Sequence, residues 1–160
     1  MSKAAAMRFD EQQARALLDS GLNELTLDVQ TEQKELLIRY LALMAKWNPV
    51  YNLTAIRETA QMVSHHLLDS LVIIPTLSGW IHGKTAPKIL DVGSGGGLPG
   101  VVLAIMHPEW SVTLIDPVHK KTAFLQQVKS QLALTNLIII TGKVEDLNHA
   151  QSYDVITSRA

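Results

Sequence analysis

The sequence predicts an α/β fold in which a Rossmann-like parallel sheet comes after a helical N-terminal extension. Up to about residue 78 apolar residues recur at helical spacing, whereas from residue 87 short apolar runs alternate with helical segments. Strands that are apolar throughout and separated by helices are typical of a parallel sheet covered on both faces. We therefore expect a helical extension over residues 1–78 and a sheet domain over residues 87–160.

Three helices are expected in the N-terminal extension. The first begins after Asp10, a typical N-cap residue, and ends at Gly21, because glycine commonly closes helices. The second begins after Thr31 and ends before Pro49, since the residue that precedes a proline resists the helical conformation. The third covers residues 59–74 and ends at the next residue, a proline.

Four strands and two long connections are expected in the second part. The strands are KILDV, SVTLID, NLIIIT and YDVITS, and the helices between them end at His107 and cover residues 119–134. The chain stops at Ala160, directly after the fourth strand. Because four parallel strands would leave a long apolar edge unpaired, we expect further strands to be missing at the C-terminus.

The stretch DVGSGGGLPG, Asp91 to Gly100, packs five glycines between the first strand and its helix. In an open parallel sheet ligands bind at the carboxyl ends of the strands, and glycines let the backbone approach them closely. Two ligand classes fit. The spacing Gly95-x-Gly97-x-x-Gly100 fits a dinucleotide fingerprint, whereas Asp91-x-Gly93-x-Gly95-x-Gly97 fits the loop that binds S-adenosylmethionine.

Carboxylates favour the second ligand. Asp91 would repel a pyrophosphate but suits the ammonium and sulfonium of S-adenosylmethionine, and it can also cap the loop's own N–H groups. Asp116 ends the second strand, where a carboxylate accepts bonds from the ribose hydroxyls that both ligands carry. After the third strand, Val144 is placed to cover an adenine face, with Glu145 or Asp146 at its amino edge.

Composition excludes several function classes. The 160 residues are 47% apolar, carry a net charge of −1 and include no cysteine. Disulfides, thiolate metal sites and a cysteine nucleophile are therefore excluded, and no overall basic charge indicates nucleic acid. The sequence shows neither a signal peptide nor a transmembrane segment. We expect a cytoplasmic monomer that binds no metal and no membrane.

The residues after the fourth strand indicate the methyl acceptor. The Asp/Asn-Pro-Pro-aromatic motif of enzymes that methylate exocyclic amino groups is absent, and the sequence has SRA there instead. Without cysteine, covalent methylation of pyrimidine carbon 5 is excluded as well. The acceptor is then already nucleophilic, or it is activated in another way.

Six segments together resemble one known family. They are, in order, KWNPVYNLTAI, HLLDSLV, ILDVGSGGGLPG, LIDPVHKKTAFLQQV, GKVEDL and YDVITSRA. They resemble the bacterial small-subunit ribosomal RNA guanine-N7 methyltransferase G family, also called glucose-inhibited division protein B. The resemblance implies a Rossmann-like class I S-adenosylmethionine-dependent methyltransferase fold with N-terminal helices. It also implies methyl transfer to N7 of one guanine in 16S ribosomal RNA, as RNA or within the small ribosomal subunit.

The same resemblance implies a set of site residues. It implies cofactor contacts at Gly93 and Leu98 in the glycine loop and at Val144 and Glu145 beside the adenine. Arg159 of SRA matches an arginine at the reactive end of the cofactor, which makes it the expected catalytic residue and a further cofactor contact.

Other residues concern the expected contacts with RNA. Lys120 and Lys121 open the helix beside the cofactor crevice, where they are candidates for contacts with RNA phosphates, although a solvated helix start is an equal alternative. His65 and Lys143 depart from the family, in which arginine is common at both positions, so a planar guanidinium contact is not expected there. Because the family continues beyond Ala160, we expect this 160-residue chain to be inactive by itself.

Two other functions stay open. A small-molecule methyltransferase can be built on the same fold, since a fold alone does not define a substrate. A non-catalytic, cofactor-binding fragment is the third alternative.

Overall fold

The structure of the protein is a computed structural model, which describes residues 8–148 and 152–159. A group of helices comes first, and four strands with intervening helices come after it. The helices are α1 (Glu11–Leu25), α2 (Thr31–Tyr51), α3 (Thr59–Met62), α4 (Asp69–Leu71), α5 (Ile74–Trp80), α6 (Gly100–Met106) and α7 (His119–Gln131). The strands are β1 (Lys88–Val92), β2 (Ser111–Asp116), β3 (Leu137–Thr141) and β4 (Val155–Ser158). A π-helical segment, Val63–Leu68, joins α3 to α4, and a 3₁₀ turn, Val144–Asp146, lies after β3.

The sheet has the strand order β3-β2-β1-β4, and all of its neighbouring strands are parallel. The predicted α/β fold is confirmed, and each of the four predicted strands is present. Strand order reverses at β1, because β2 and β3 lie on one side of it and β4 on the other. The carboxyl ends of β1 and β4 therefore flank the crevice in which open α/β sheets bind ligands.

The outer strands are not covered on both faces, so that expectation was wrong for them. In β3, Leu137 is buried while Ile138 is 47% exposed, and in β4, Val155 is buried while Ile156 is 66% exposed. Successive strand residues point to opposite faces. Among the described elements, α6 packs on β2, and α7 packs on β2 and β3. The central strands β1 and β2 are buried over most of their length.

Two predicted helix ends were wrong, because tertiary packing overrides the local stop signals. α1 continues through Gly21 to Leu25, and its C-cap Thr26 adopts the left-handed conformation with φ 56°. A Cβ at Gly21 would overlap the side chain of Leu68, so this glycine allows α1 to approach the π-helical segment closely. α2 continues for two residues beyond Pro49.

Asn48 holds the chain that leaves α2. Its Oδ1 accepts the backbone N–H groups of Leu53 (2.7 Å) and Thr54 (2.9 Å), and its Nδ2 donates to the Thr54 carbonyl (3.0 Å). The Asn48 side chain is buried. These bonds fold residues 52–54 back against the end of α2, which fixes the position of the next loop.

The third predicted helix, residues 59–74, is divided into pieces. α3, the π-helical segment and α4 run on from one another, and a turn at residues 72–73 separates them from α5. Pro75 lies in the first turn of α5 instead of after the end of a helix. A proline costs little there, because the N–H that it lacks would have no partner within the helix.

One hydrophobic cluster extends through the helical extension and the sheet. Tyr40 of α2 and Phe124 of α7 are among its largest fully buried side chains, and α2 packs against both α6 and α7. The change from helices to strands falls between Trp80, where α5 ends, and Lys88, where β1 begins. The core is continuous across that boundary, so the extension and the sheet are packed as one unit.

The first residue of α6, Gly100, allows a test of how this helix packs against the sheet. A Cβ at Gly100 would overlap the buried Leu114 side chain and lie 2.8 Å from Asp91 Oδ2. We expect Gly100→Ala to lower the free energy of unfolding by about 1–3 kcal/mol, the usual cost of overpacking. Gly79→Ala is the matched control, since no described atom would lie within 4 Å of its Cβ. It should not lower stability, because alanine favours the helix. Urea unfolding of both variants measures this, and equal stabilities would contradict the packing.

Candidate active site

The glycine loop, Gly93 to Pro99, lies at the carboxyl end of β1, beside the point where strand order reverses. The N–H groups of Gly93 and Ser94 donate to the Ile115 carbonyl of β2, at 2.9 and 3.2 Å. The loop closes on itself through the Gly97 N–H, which donates to the Ser94 carbonyl at 2.7 Å. The loop is thus an ordered turn anchored to the neighbouring strand.

Two buried carboxylates hold this loop in place. Asp91 Oδ2 accepts the Gly100 N–H at 2.9 Å, so it caps the start of α6. Asp116 Oδ2 accepts the Gly95 N–H at 2.9 Å, and its Oδ1 accepts the Val118 N–H at 2.8 Å. The capping role expected of Asp91 is therefore present. Asp116, predicted to bind ribose, binds the loop itself, and each of its oxygens keeps a second lone pair for a ligand.

The glycines divide into two groups by what surrounds them. Gly93 and Gly95 have φ values of 65° and 56°, and a Cβ on Gly93 would meet no described atom within 4 Å. They form the open side of the loop, where a ligand could reach the backbone. Gly97 faces the core, because its Cβ would lie 2.5 Å from Val101 Cγ2. The cofactor contact predicted at Gly97 stays a prediction, and the structure gives this glycine a packing reason of its own.

The helical extension supports the loop from the core side. The Tyr40 hydroxyl donates to the Gly96 carbonyl at 2.6 Å. A Cβ on Gly96 would lie 3.3 Å from Met44 Cε and 3.6 Å from Leu53 Cβ. Tyr40 and Met44 belong to the apolar positions that recur at helical spacing along α2, and no local sequence signal distinguishes a tyrosine that contacts this loop from one that only fills the core.

Arg159 joins the end of β4 to the π-helical segment. Its Nη1 donates to the His65 carbonyl at 2.9 Å and lies 3.4 Å from Asp69 Oδ2. The Arg159 side chain is 33% exposed. Within the same segment, His66 Nε2 is 3.1 Å from Thr54 Oγ1. Arg159 therefore lies just beyond the carboxyl end of β4, and in this structure its bonds go to the protein. Its predicted contact with the cofactor stays a prediction.

Burial shifts the pKa values of two groups beside the crevice. Desolvation raises the pKa of Asp91 to about 7, against the opposing effects of the Gly100 N–H and of Arg159. Its Oδ1 is buried without a hydrogen-bond partner among the described residues. Desolvation lowers the pKa of His66 to about 4, and Arg159 adds to the effect. His66 is consequently neutral at pH 7. A cation beside Asp91 would favour its ionised form and lower its pKa.

The remaining predicted residues come after the carboxyl ends of β1, β2 and β3. Leu98 is 8% exposed and belongs to the loop, whereas Val144 is 39% exposed in the 3₁₀ turn after β3. Glu145 lies in the same turn and is exposed. In the first turn of α7, Lys120 is exposed and Lys121 half-buried.

Neither a metal cluster nor a membrane-spanning helix occurs among the described residues. In residues 8–148 and 152–159, no three His, Asp or Glu side chains are arranged to hold a metal ion. None of the helices in this part of the chain combines the length and the hydropathy that a bilayer crossing requires.

The sheet order and the anchored glycine loop define a Rossmann-like fold of the class I methyltransferases. Coclaurine N-methyltransferase bound to N-methylheliamine and SAH has a TM-score of 0.50 at 14% identity, over 92% of this chain and 50% of that one. The N-terminal domain of human METTL16 in complex with SAH has a TM-score of 0.53 at 12% identity, over 99% and 69%. At these identities the likeness shows the fold.

The chain belongs to the rRNA small subunit methyltransferase G family, which it matches over residues 33–160. It is 52% identical over 156 residues to the ribosomal RNA small subunit methyltransferase G of Janthinobacterium sp. (strain Marseille), covering 95% of this chain and 68% of that protein. The protein of the same name from Herminiimonas arsenicoxydans is also 52% identical, with coverages of 95% and 69%. The predicted resemblance is confirmed. The chain spans about two thirds of the length of these relatives.

The raised pKa of Asp91 makes stability depend on pH. Between its ordinary value of 3.8 and about 7, the folded state binds more protons at Asp91 than the unfolded state does. The stability that the protonated carboxyl contributes is therefore lost as pH rises through this window. In Asp91→Asn this loss is removed, and the amide oxygen can still accept the Gly100 N–H.

We expect the free energy of unfolding of Asp91→Asn, relative to wild type, to rise from pH 4 to pH 8 by at least about 1 kcal/mol. Urea unfolding across this range measures the difference. The opposite contribution of His66, whose lowered pKa makes stability rise with pH from about 4 to 6.5, is common to both proteins and cancels. A difference that is constant with pH would contradict the buried, destabilised carboxylate.

Proposed function

We propose that the chain binds S-adenosylmethionine in the crevice and that the protein transfers the methyl group to N7 of a guanine in 16S ribosomal RNA. The observation that carries the proposal is the glycine loop at the reversal of strand order, open at Gly93 and Gly95 and backed by Asp91. Membership of the rRNA small subunit methyltransferase G family supports the RNA as substrate.

The residues of the crevice fit this cofactor. The buried Oδ1 of Asp91 has no hydrogen-bond partner among the described residues, which suits a cationic ligand better than a pyrophosphate. On the open side of the loop, the backbone at Gly93 is free of neighbouring side chains within the described part. In this proposal the loop, with Gly93, Gly95 and Leu98, holds the methionine end of the cofactor. Asp116 holds the ribose, and the adenine lies at Val144 and Glu145.

When bound, S-adenosylmethionine supplies an electrophilic methyl group on a sulfonium. Transfer breaks the sulfur–carbon bond and forms a carbon–nitrogen bond, and the positive charge moves from sulfur to the purine. Guanine N7 is a lone pair without a proton, so the chain needs no general base. Its residues then act by holding the two reactants in line, which can lower a barrier by about 7–11 kcal/mol.

Arg159 is the residue proposed to act at the reactive end. Its guanidinium lies beside the crevice and remains 33% exposed while it binds the His65 carbonyl. Because a guanidinium carries several N–H donors, it can hydrogen-bond the cofactor carboxylate or the guanine as well, without moving a proton. Lys120 and Lys121 are proposed to contact RNA phosphates from the first turn of α7.

A small-molecule methyltransferase is the second candidate. The net charge of −1 favours it, because proteins that bind nucleic acid usually carry a basic surface. The fold does not decide between the two, since the same architecture hosts unrelated substrates.

The open side of the glycine loop can be tested with a matched pair of glycines. Gly93 and Gly83 both have positive φ, 65° and 81°, and a Cβ on either would meet no described atom within 4 Å. Asparagine tolerates this conformation, whereas a β-branched residue such as valine would strain it. We expect Gly93→Asn to weaken binding of S-adenosylhomocysteine at least about 10-fold, which is about 1.4 kcal/mol.

Gly83→Asn is the control, because Gly83 lies before the amino end of β1, away from the loop. It should bind S-adenosylhomocysteine like the wild type, as measured by calorimetry on this chain. Normal binding by Gly93→Asn would remove the loop from the site. Tighter binding of NAD than of S-adenosylhomocysteine by the wild type would overturn the choice of cofactor.

The acceptor can be tested in cells that lack the gene. Mass spectrometry of small-subunit ribosomal RNA should show the loss of one N7-methylguanosine, which the wild-type gene restores. In methyl transfer to small ribosomal subunits by the purified full-length protein, we expect Arg159→Ala to reduce turnover about 100-fold, the usual effect of removing one charge-assisted contact in a transition state.

Arg39→Ala is the matched control for this arginine. Arg39 Nη2 donates to the Gln131 carbonyl at 2.8 Å, so the variant also loses one bond from a guanidinium to a backbone carbonyl, but on α2 and α7. It should keep the turnover of the wild type. Unchanged RNA in the deletion strain would favour the small-molecule alternative, and wild-type turnover by Arg159→Ala would exclude Arg159 from the site.

A further inference from the structure

Tyr40 makes a contact that the proposed chemistry does not use. Its side chain is fully buried in α2, and its hydroxyl donates to the Gly96 carbonyl at 2.6 Å, across 56 positions of sequence. Burial and the charge of Asp91 raise the pKa of Tyr40 well above its usual range, so the hydroxyl stays protonated and remains a donor. This is the one hydrogen bond from a side chain of the helical extension to the glycine loop among the described residues.

The loop also packs closely against Tyr40. A Cβ on Gly97 would lie 3.1 Å from the Tyr40 hydroxyl and 2.8 Å from Leu125 Cδ2. The backbone of Gly96 and Gly97 is therefore in direct contact with side chains of α2, at a distance that leaves little room for a Cβ. The Gly96–Gly97 peptide has no side chain beside it to fix its orientation. Its N–H donates to the Ser94 carbonyl within the loop, and the Tyr40 hydroxyl holds its carbonyl from α2, so this bond ties the peptide to the rest of the protein.

We propose that Tyr40 is a positioning residue for the cofactor, because its hydroxyl fixes the Gly96 peptide and so keeps the open backbone at Gly93 and Gly95 in its binding conformation. This inference rests on the proposed function of the crevice. A glycine run that is not restrained must lose conformational freedom when the ligand binds, and that cost weakens binding. In this protein the Tyr40 hydroxyl, from the helical extension, restrains the glycine loop before the ligand binds.

Tyr40→Phe removes the hydroxyl and keeps the ring that fills the core. Ser70→Ala is the matched control, since the Ser70 hydroxyl is also buried and donates to a carbonyl, that of His66, at 2.7 Å. Both variants lose one buried hydroxyl bond, and we expect similar losses of thermal stability. Calorimetry on this chain should show binding of S-adenosylhomocysteine weakened about 10-fold by Tyr40→Phe and unchanged by Ser70→Ala.

Amide hydrogen exchange without ligand supplies a second readout. The Gly97 and Leu98 N–H groups both donate to the Ser94 carbonyl, so their exchange reports the order of the loop. It should accelerate at least about 10-fold in Tyr40→Phe, and in Ser70→Ala it should change only as much as global stability does.

The outcomes separate this inference from the proposed function. Unchanged loop exchange and unchanged affinity in Tyr40→Phe would overturn the positioning role. Equal losses of affinity in Tyr40→Phe and Ser70→Ala would also overturn it, since they would reflect stability alone. Failure of the wild type to bind S-adenosylhomocysteine would instead overturn the proposed cofactor, and the role of Tyr40 in positioning it would fall with that result.

Discussion

The site depends on one constraint, which is that a loop of glycines must be held rigid from one side and left open on the other. Two buried carboxylates provide most of the rigidity of this loop. Asp91 binds the Gly100 N–H and Asp116 binds the Gly95 N–H, so side chains of the neighbouring strands β1 and β2 fix the loop at two points. Desolvation makes the charge on Asp91 costly, and its pKa rises to about 7. The folded protein therefore loses stability as this carboxyl ionises with rising pH.

The strands were predictable because their signal is local. Each is a short apolar run bounded by turn residues, and the parallel ladder places β1 next to β2 with no change of register along its length. Helix ends were less predictable, because contacts with residues distant in sequence decide where each helix ends. Gly21 and Pro49 are strong local stop signals, yet α1 needs a glycine to approach Leu68, and the end of α2 is held by the side chain of Asn48.

The candidate site was predictable to the extent that its residues come directly after strands in the sequence. Asp91, Asp116 and the glycines were found in this way, because the carboxyl ends of parallel strands meet at one edge. The contacts of Tyr40 with Gly96 and of Arg159 with His65 join segments 56 and 94 positions apart. No periodicity or motif encodes such pairs, since they depend on how the extension docks onto the sheet.

The π-helical segment, Val63–Leu68, has a consequence for the register of the helix on its two sides. Met62 and Leu71 are both fully buried, although residues nine positions apart on a regular α-helix point in opposite directions, about 180° apart. A π-helical turn absorbs one residue more than an α-helical turn, which reduces the effective separation to about eight and the angle to about 80°. The extra residue changes the direction in which the following side chains point around the helix axis. It lets one continuous helix keep buried residues against the core at both ends and in the middle, where Val63 and Leu67 are buried as well.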